Sequence, residues 1–152
     1  MTQPVAQPIA HKRITAQEAK QKLDEGYVYI DVRTEDEVDA GHPSGAFNVP
    51  VRVQTDTGMQ PNEEFVEIVS ACFGKDAKLV IGCKGGPRSL TASQLLVNAG
   101  FSDVVEQRAG FVGARDAFGS VVDVGWQAAG LPVSRELEPG HSYDELRARA
   151  GK

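Results

Sequence analysis

The sequence predicts an α/β fold with a largely parallel central sheet. Two observations carry that prediction. Short runs rich in β-branched and aromatic residues alternate with helix-like segments, and the clearest run, KLVIG at residues 78–82, leads through a glycine-rich bend into a helix. The chain has 152 residues, enough for one domain with a proper core. Its hydrophobic share of 41% and charged share of 24% are those of a soluble globular protein.

The elements follow in order. Residues 1–13 (MTQPVAQPIAHKR) are polar, proline-bearing and without period, so a loose arm is expected there. Thr15 and Glu18 have capping-box spacing and open a helix that should run to about Glu25 and stop at Gly26. Residues 27–32 (YVYIDV) form a strand, and a second capping box, Thr34 with Glu37, opens a short helix ending near Gly41. Residues 47–50 are a short extended piece and residues 51–61 a loop. Phe65, Ile68, Val69, Cys72 and Phe73 then fall on one helical stripe. After the strand at 78–82, a helix over 88–99 closes at Gly100. Residues 103–106 (DVVE) make a third strand. Order loosens through 110–124 and resumes in GWQAAGLPV at 125–133. Ser142 and Glu145 cap a last short helix in a C-terminal extension over 134–152, which either packs on the body or stands off it.

The net charge of −5 argues against a broad nucleic-acid face but leaves room for a local anion site. No apolar run approaches the roughly 20 residues that span a bilayer, and the start lacks the apolar stretch of a secretory signal. A cytoplasmic location without membrane contact is therefore expected. Of the three histidines, His11 and His141 lie in polar ends without a site signal, and His42 sits in a turn where packing and hydrogen bonding are expected. Trp126 is expected in the core.

The two cysteines, Cys72 and Cys83, have neither zinc-finger spacing nor histidine neighbours, so no metal is expected. In a reducing compartment both are free thiols. Cys72 lies on an apolar helical face and reads as a small hydrophobe. Cys83 is different. It ends a strand, where ligands sit in open α/β sheets, and a helix starts a few residues later. Between them, Gly85 and Gly86 can take positive φ and turn their amides inward, and Pro87 stiffens the bend. Inward amides, the helix N-terminus, Lys84 and Arg88 make an anion nest and lower the pKa of a thiol. Cys83 is accordingly expected to be largely thiolate at neutral pH, with no base required. The opposing reading, a buried strand end followed by an ordinary turn, is weakened by the two flanking cations.

At this point the residues resemble the rhodanese-homology family. Cys83, Gly86, Arg88 and Ser89 match its active-loop pattern C-x-x-G-x-R-S. IDVR at 30–33, Glu37 with GHPSGAFNVP at 41–50, and Trp126 followed by GLPV at 130–133 resemble its other motifs, in its order. The resemblance covers about residues 14–133. It implies a five-stranded, mainly parallel sheet flanked by helices. It also implies ping-pong sulfur transfer through a persulfide on Cys83, without a cofactor, from thiosulfate or a related donor to cyanide, a thiol or a protein acceptor. Lys84, Gly85, Gly86, Arg88 and Ser89 would bind the substrate. Asp31 and Arg33 would be supporting positions, Arg33 at the rim; from the residues alone, Arg33 pairs with Glu37 and Asp31 fixes loop amides. Residues 112–124 depart from the family pattern as an insertion, in which 120–124 would pair as a small strand or pack as a cover. There Arg115 and Asp116 either reach the rim or form an exposed ion pair.

Three rivals stand beside this reading. A cysteine phosphatase of this fold would need five residues between cysteine and arginine, and Cys83 and Arg88 have four. A persulfide carrier or redox-sensing module that binds a partner protein needs the same loop. A silent domain of the family would be expected to lack the cysteine.

Overall fold

The computed structural model describes residues 11–152; most of the arm expected over 1–13 therefore lies outside the described residues. In chain order the elements are β1 (Lys12–Ile14), α1 (Ala16–Asp24), β2 (Val28–Asp31), α2 (Glu35–Asp39), β3 (His42–Pro43), β4 (Phe47–Asn48), β5 (Arg52–Thr55), β6 (Gly58–Pro61) and α3 (Phe65–Phe73). The second half contains β7 (Lys78–Gly82), α4 (Arg88–Asn98), β8 (Asp103–Gln107), β9 (Gly113–Arg115), β10 (Val121–Val124), β11 (Val133–Ser134) and α5 (Tyr143–Arg149). The main sheet is five-stranded in the order β1-β8-β7-β2-β4, and every pairing is parallel.

The central position of β7 follows from its sequence. Leu79, Val80 and Ile81 are all fully buried, as a strand covered on both faces requires. Alternation sends Leu79 and Ile81, with Ile30 of β2, into one core with Phe65, Ile68 and Leu96. Val80 and Tyr29 face the opposite core with Ile14, Phe111 and Trp126. Trp126 is buried, meets Tyr29 edge-on at 5.6 Å and donates its Nε1 proton to Pro132 O at 2.7 Å. The GLPV segment closes the fold by pairing β11 antiparallel to β3.

All three capping boxes form, at Thr15/Glu18, Thr34/Glu37 and Ser142/Glu145. The last helix packs rather than standing off: Tyr143 and Leu146 of α5 are buried in the core that α3 lines, and Cys72 Sγ donates to Leu146 O at 3.3 Å. Cys72 is half-buried, and that burial pushes its thiol pKa up. No helix among the described residues is long and apolar enough to cross a membrane.

Three expectations need correction. Lys12 and Arg13 are not part of a loose arm; with Ile14 they form β1, the edge strand beside β8. Residues 51–61 are not a loop, since β5 and β6 pair antiparallel from Arg52↔Pro61 to Thr55↔Gly58. That hairpin is largely exposed, so no apolar alternation marks it. Over 112–124, the strand alternative holds, β10 pairing antiparallel with β9, and only Arg115 and Asp116 depart from expectation. Arg115 and Asp116 do not pair there: Arg115 donates to Gly119 O at 2.7 Å, while Asp116 Oδ1 accepts from the amides of Phe118 and Ser120. A short polar side chain that can satisfy its own turn does so before it meets a neighbouring cation.

Candidate active site

Three strands end together at the carboxyl edge of the sheet: β2 with Asp31, β7 just before Cys83, and β8 with Glu106 and Gln107. The chain then bends over residues 84–87 and enters α4, whose first two residues are Arg88 and Ser89. Pro87 sits at the N-cap and supplies no side-chain cap. The amides of Lys84, Gly85, Gly86, Arg88 and Ser89 donate to no protein group among the described residues. Five free donors at a helix N-terminus are what an anion would bind.

The bend is held from behind by residues 110–113. Phe111 N donates to Cys83 O at 2.8 Å, and Val112 N to Lys84 O at 2.9 Å. The approach is too close for side chains. Gly85 has φ +145°, and a Cβ there would lie 2.2 Å from Gly113 O. Gly110 has φ +69°, and its Cβ would lie 2.4 Å from Gly85 N. Gly86 does not adopt positive φ and faces open space, contrary to the expectation that both glycines would turn.

Cys83 is 1% exposed, and its Sγ is beneath the bend. Its polar neighbours are Gly86 O at 3.4 Å and Ser89 Oγ at 3.3 Å. No loop amide donates to the sulfur, which corrects the expected ring of inward N–H groups around it. A carbonyl and a hydroxyl oxygen occupy those places instead, and both can accept from an S–H.

Arg88 makes a two-pronged ion pair with Glu37, at 2.6 and 3.0 Å, which ties the start of α4 to α2. Glu37 therefore belongs to Arg88 and not to Arg33. Arg33 is buried instead, paired with Asp31 at 2.8 Å, donating to Gly41 O at 2.7 Å and lying 4.5 Å over the Phe111 ring. It is not at the rim; a guanidinium within reach of a buried carboxylate, a carbonyl and a ring face loses less by burial there. Burial pushes the Asp31 carboxyl upward, with Arg33 opposing. Lys84 is exposed and has no ion-pair partner among the described residues. His42 is buried with Nδ1 2.9 Å from Val38 O, a packing role.

The Arg88 hydrogen bonds pull the Glu37 pKa down to about 2. A carboxylate depressed in the folded state stabilises it above the unfolded pKa of about 4.3, and that contribution disappears as pH falls toward 2. Replacing Glu37 by Gln should cost roughly 1 kcal/mol at pH 7, allowing for solvent screening of a half-exposed pair. Urea unfolding at pH 7 and near pH 3 would show the gap between the two proteins narrowing with acid.

Glu106 was legible only as the end of a strand, yet it is fully buried and central. Its Oε1 accepts from Arg13 Nε at 2.8 Å and lies 3.0 Å from His11 Nε2; its Oε2 accepts from Ser89 Oγ at 2.7 Å. Burial raises its pKa, but the three hydrogen bonds prevail and hold it below the usual range. The missed signal was a carboxylate directly after two valines at the carboxyl end of a parallel strand, where ligands and catalysis concentrate.

Two cavities lie nearby. One of about 150 Å³ runs beside Pro87, Arg88 and Thr91, and one of about 690 Å³ lies between the β5–β6 hairpin and α5. Both are lined by Arg52 and Asn62, and neither by Cys83.

A cysteine beneath a strand-to-helix bend, with unpartnered amides in the bend and an arginine opening the next helix, defines a class of α/β proteins that use a cysteine loop at the sheet edge. The family model for the rhodanese-like domain matches residues 15–117, and the chain belongs to that family. It is 44% identical over 94 residues to senescence-associated protein DIN1 of Raphanus sativus; the match covers 62% of this chain and 51% of that one, about half the radish protein's length. It is 38% identical over 108 residues to thiosulfate sulfurtransferase 16, chloroplastic, of Arabidopsis thaliana, covering 71% of this chain and 80% of that protein. Among solved structures, Rv0390 from M. tuberculosis superposes with a TM-score of 0.68 at 26% identity, covering 84% of this chain and 100% of the other.

Proposed function

We propose that the protein is a sulfurtransferase that carries sulfur as a persulfide on Cys83. The Cys83 thiolate attacks the outer sulfur of thiosulfate, the S–S bond breaks, and sulfite leaves with the bonding pair. Cys83 then bears an anionic persulfide. Cyanide or a thiolate attacks the terminal sulfur, takes it, and returns the Cys83 thiolate. Two simpler displacements replace one.

The observation that carries this reading is the set of unpartnered amides around the bend that begins at Cys83. A thiol with acceptor neighbours is the resting form. An anionic sulfur requires donors, and those amides are free to turn toward it. Turning the Gly86 carbonyl away removes an acceptor; its peptide leads to Pro87 and brings no amide, so the donors come from Lys84, Gly85, Gly86, Arg88 and Ser89. Arg88 would exchange part of its contact with Glu37 for the dianionic donor. The relative named thiosulfate sulfurtransferase supports the same chemistry here.

Arg88 gives the first test. Arg88→Ala should raise the thiosulfate KM by roughly tenfold or more, the scale of a lost charge-assisted hydrogen bond. Steady-state sulfite release at several cyanide concentrations should give the parallel lines of a ping-pong scheme. An unchanged KM would remove Arg88 from donor binding.

One observation favours a second reading, a persulfide carrier with little turnover. The sulfur is covered, so access depends on the bend opening, and a partner protein that opens it would control transfer. Multiple turnovers with small thiol acceptors alone would exclude that role.

A further inference from the structure

The reading above takes Cys83 as the reacting atom but leaves unexplained why a charged carboxylate is buried two hydrogen bonds away. We propose that Glu106 is a positioning residue that sets the protonation of Cys83 through the Ser89 hydroxyl. Three contacts fix the direction of every proton in the chain. Arg13 can only donate, so Glu106 Oε1 accepts from it, and His11 Nε2 must carry its proton to share the same oxygen. Glu106 Oε2, an ionised acceptor, takes the Ser89 proton at 2.7 Å. Ser89 Oγ, 3.3 Å from the sulfur, is left facing it with lone pairs. A hydroxyl in that orientation accepts the S–H of a thiol and offers nothing to a thiolate or persulfide. Glu106 thus holds the thiol in its neutral, unreactive form. The anionic forms gain a further donor, beside the loop amides, only when Ser89 swings its proton from Glu106 to sulfur, with Arg13 and His11 left to satisfy the carboxylate.

The charged and titratable groups facing this chain come from every neighbouring element. They are His11 and Arg13 at β1, Tyr29 and Asp31 on β2, Arg88 on α4 and Arg108 just beyond β8. None of them touches Ser89 Oγ, whose hydrogen-bond partners among the described residues are Glu106 and Cys83.

Glu106→Gln tests the proposal because the amide can fit in one orientation only. Its oxygen must face the donors Arg13 and His11, so its NH₂ faces Ser89. Ser89 then accepts from Gln and its own proton turns to the sulfur. The readout is the pH midpoint for alkylation of Cys83 by iodoacetamide, in a Cys72→Ser background so that a single thiol reacts. Opening of the bend scales the rate at every pH and leaves the midpoint in place. The midpoint should fall by roughly one pH unit, the scale of one hydrogen bond gained by a charged sulfur. With Ser89→Ala also present, the shift should largely vanish. An unchanged or raised midpoint in Glu106→Gln overturns the proposal, as does a full shift that persists without Ser89. Should Glu106→Gln fail to fold, His11→Ala carries the test. Loss of that donor leaves Glu106 drawing harder on the Ser89 proton, so the midpoint should rise, and an unmoved midpoint overturns the proposal. Alkylation needs no sulfur donor, so failure here is separable from failure of sulfur transfer, which the sulfite assay reports.

Discussion

Cys83→Ser is expected to abolish sulfite release from thiosulfate in the presence of cyanide, while Cys72→Ser retains most of it. The contrast rests on position. Both residues are packed thiols, but Cys83 precedes five amides, in the bend and the first turn of α4, that have no partner among the described residues, and Arg88 flanks it. Cys72 sits near the C-terminal end of α3, donates to the Leu146 carbonyl of α5 and has its pKa raised by burial. A serine hydroxyl at position 83 would be a far weaker nucleophile and no persulfide could form on it, so the loss should reach the background of the assay. Replacement at position 72 removes a half-buried thiol and costs stability only, about 1 kcal/mol or less. Activity that survives in Cys83→Ser would place the chemistry elsewhere.

Gly85→Ala should be the second most damaging change, and its neighbour supplies the control. An alanine at 85 must hold φ near +145° and place its Cβ 2.2 Å from the backbone oxygen of Gly113. Neither partner is a flexible side chain, so the bend or the β9 strand must shift. Strain and overpacking of this kind cost roughly 2–4 kcal/mol together. Gly86→Ala meets nothing within 4 Å and requires no positive φ, so its stability should stay within about 0.5 kcal/mol of the parent. Thermal unfolding distinguishes the two directly, and sulfite release should follow: lost or severely reduced at 85, retained in good part at 86. Equal stability of the two variants would contradict the close packing of the bend against residues 109–113.

The parts of this molecule that could be read from sequence are those written in local chemistry. A threonine or serine three residues before a glutamate closes a capping box within four residues of chain, and the pairs at Thr15, Thr34 and Ser142 all form one. KLVIG, a short apolar run closed by glycine, reads as a strand, and the bend that follows then falls at the carboxyl end of the sheet. What escaped was set by distant partners or by the absence of an apolar pattern. The strand at Lys12–Ile14 carries two exposed cations and one buried residue, too little alternation to recognise. Arg33 and Glu37 stand four residues apart and suggest a helical ion pair, but each has a stronger partner elsewhere, Asp31 for one and Arg88 for the other. His11 and Glu106 are separated by 95 positions, and only the pairing of β1 with β8 brings them together. The loop glycines were recognised as unusual, but not which of them would turn. Gly85 does because Gly113 and Ala109 press against it, and that contact depends on a hairpin with no counterpart in the loop's own sequence.

The central claim is that sulfur is carried on Cys83, and mass spectrometry of the intact protein after thiosulfate treatment tests it most directly. The account predicts a gain equal to one sulfur atom, located by peptide mapping on Cys83, lost again when cyanide is added. No gain, a gain on Cys72 alone, or a gain that cyanide leaves in place would contradict it.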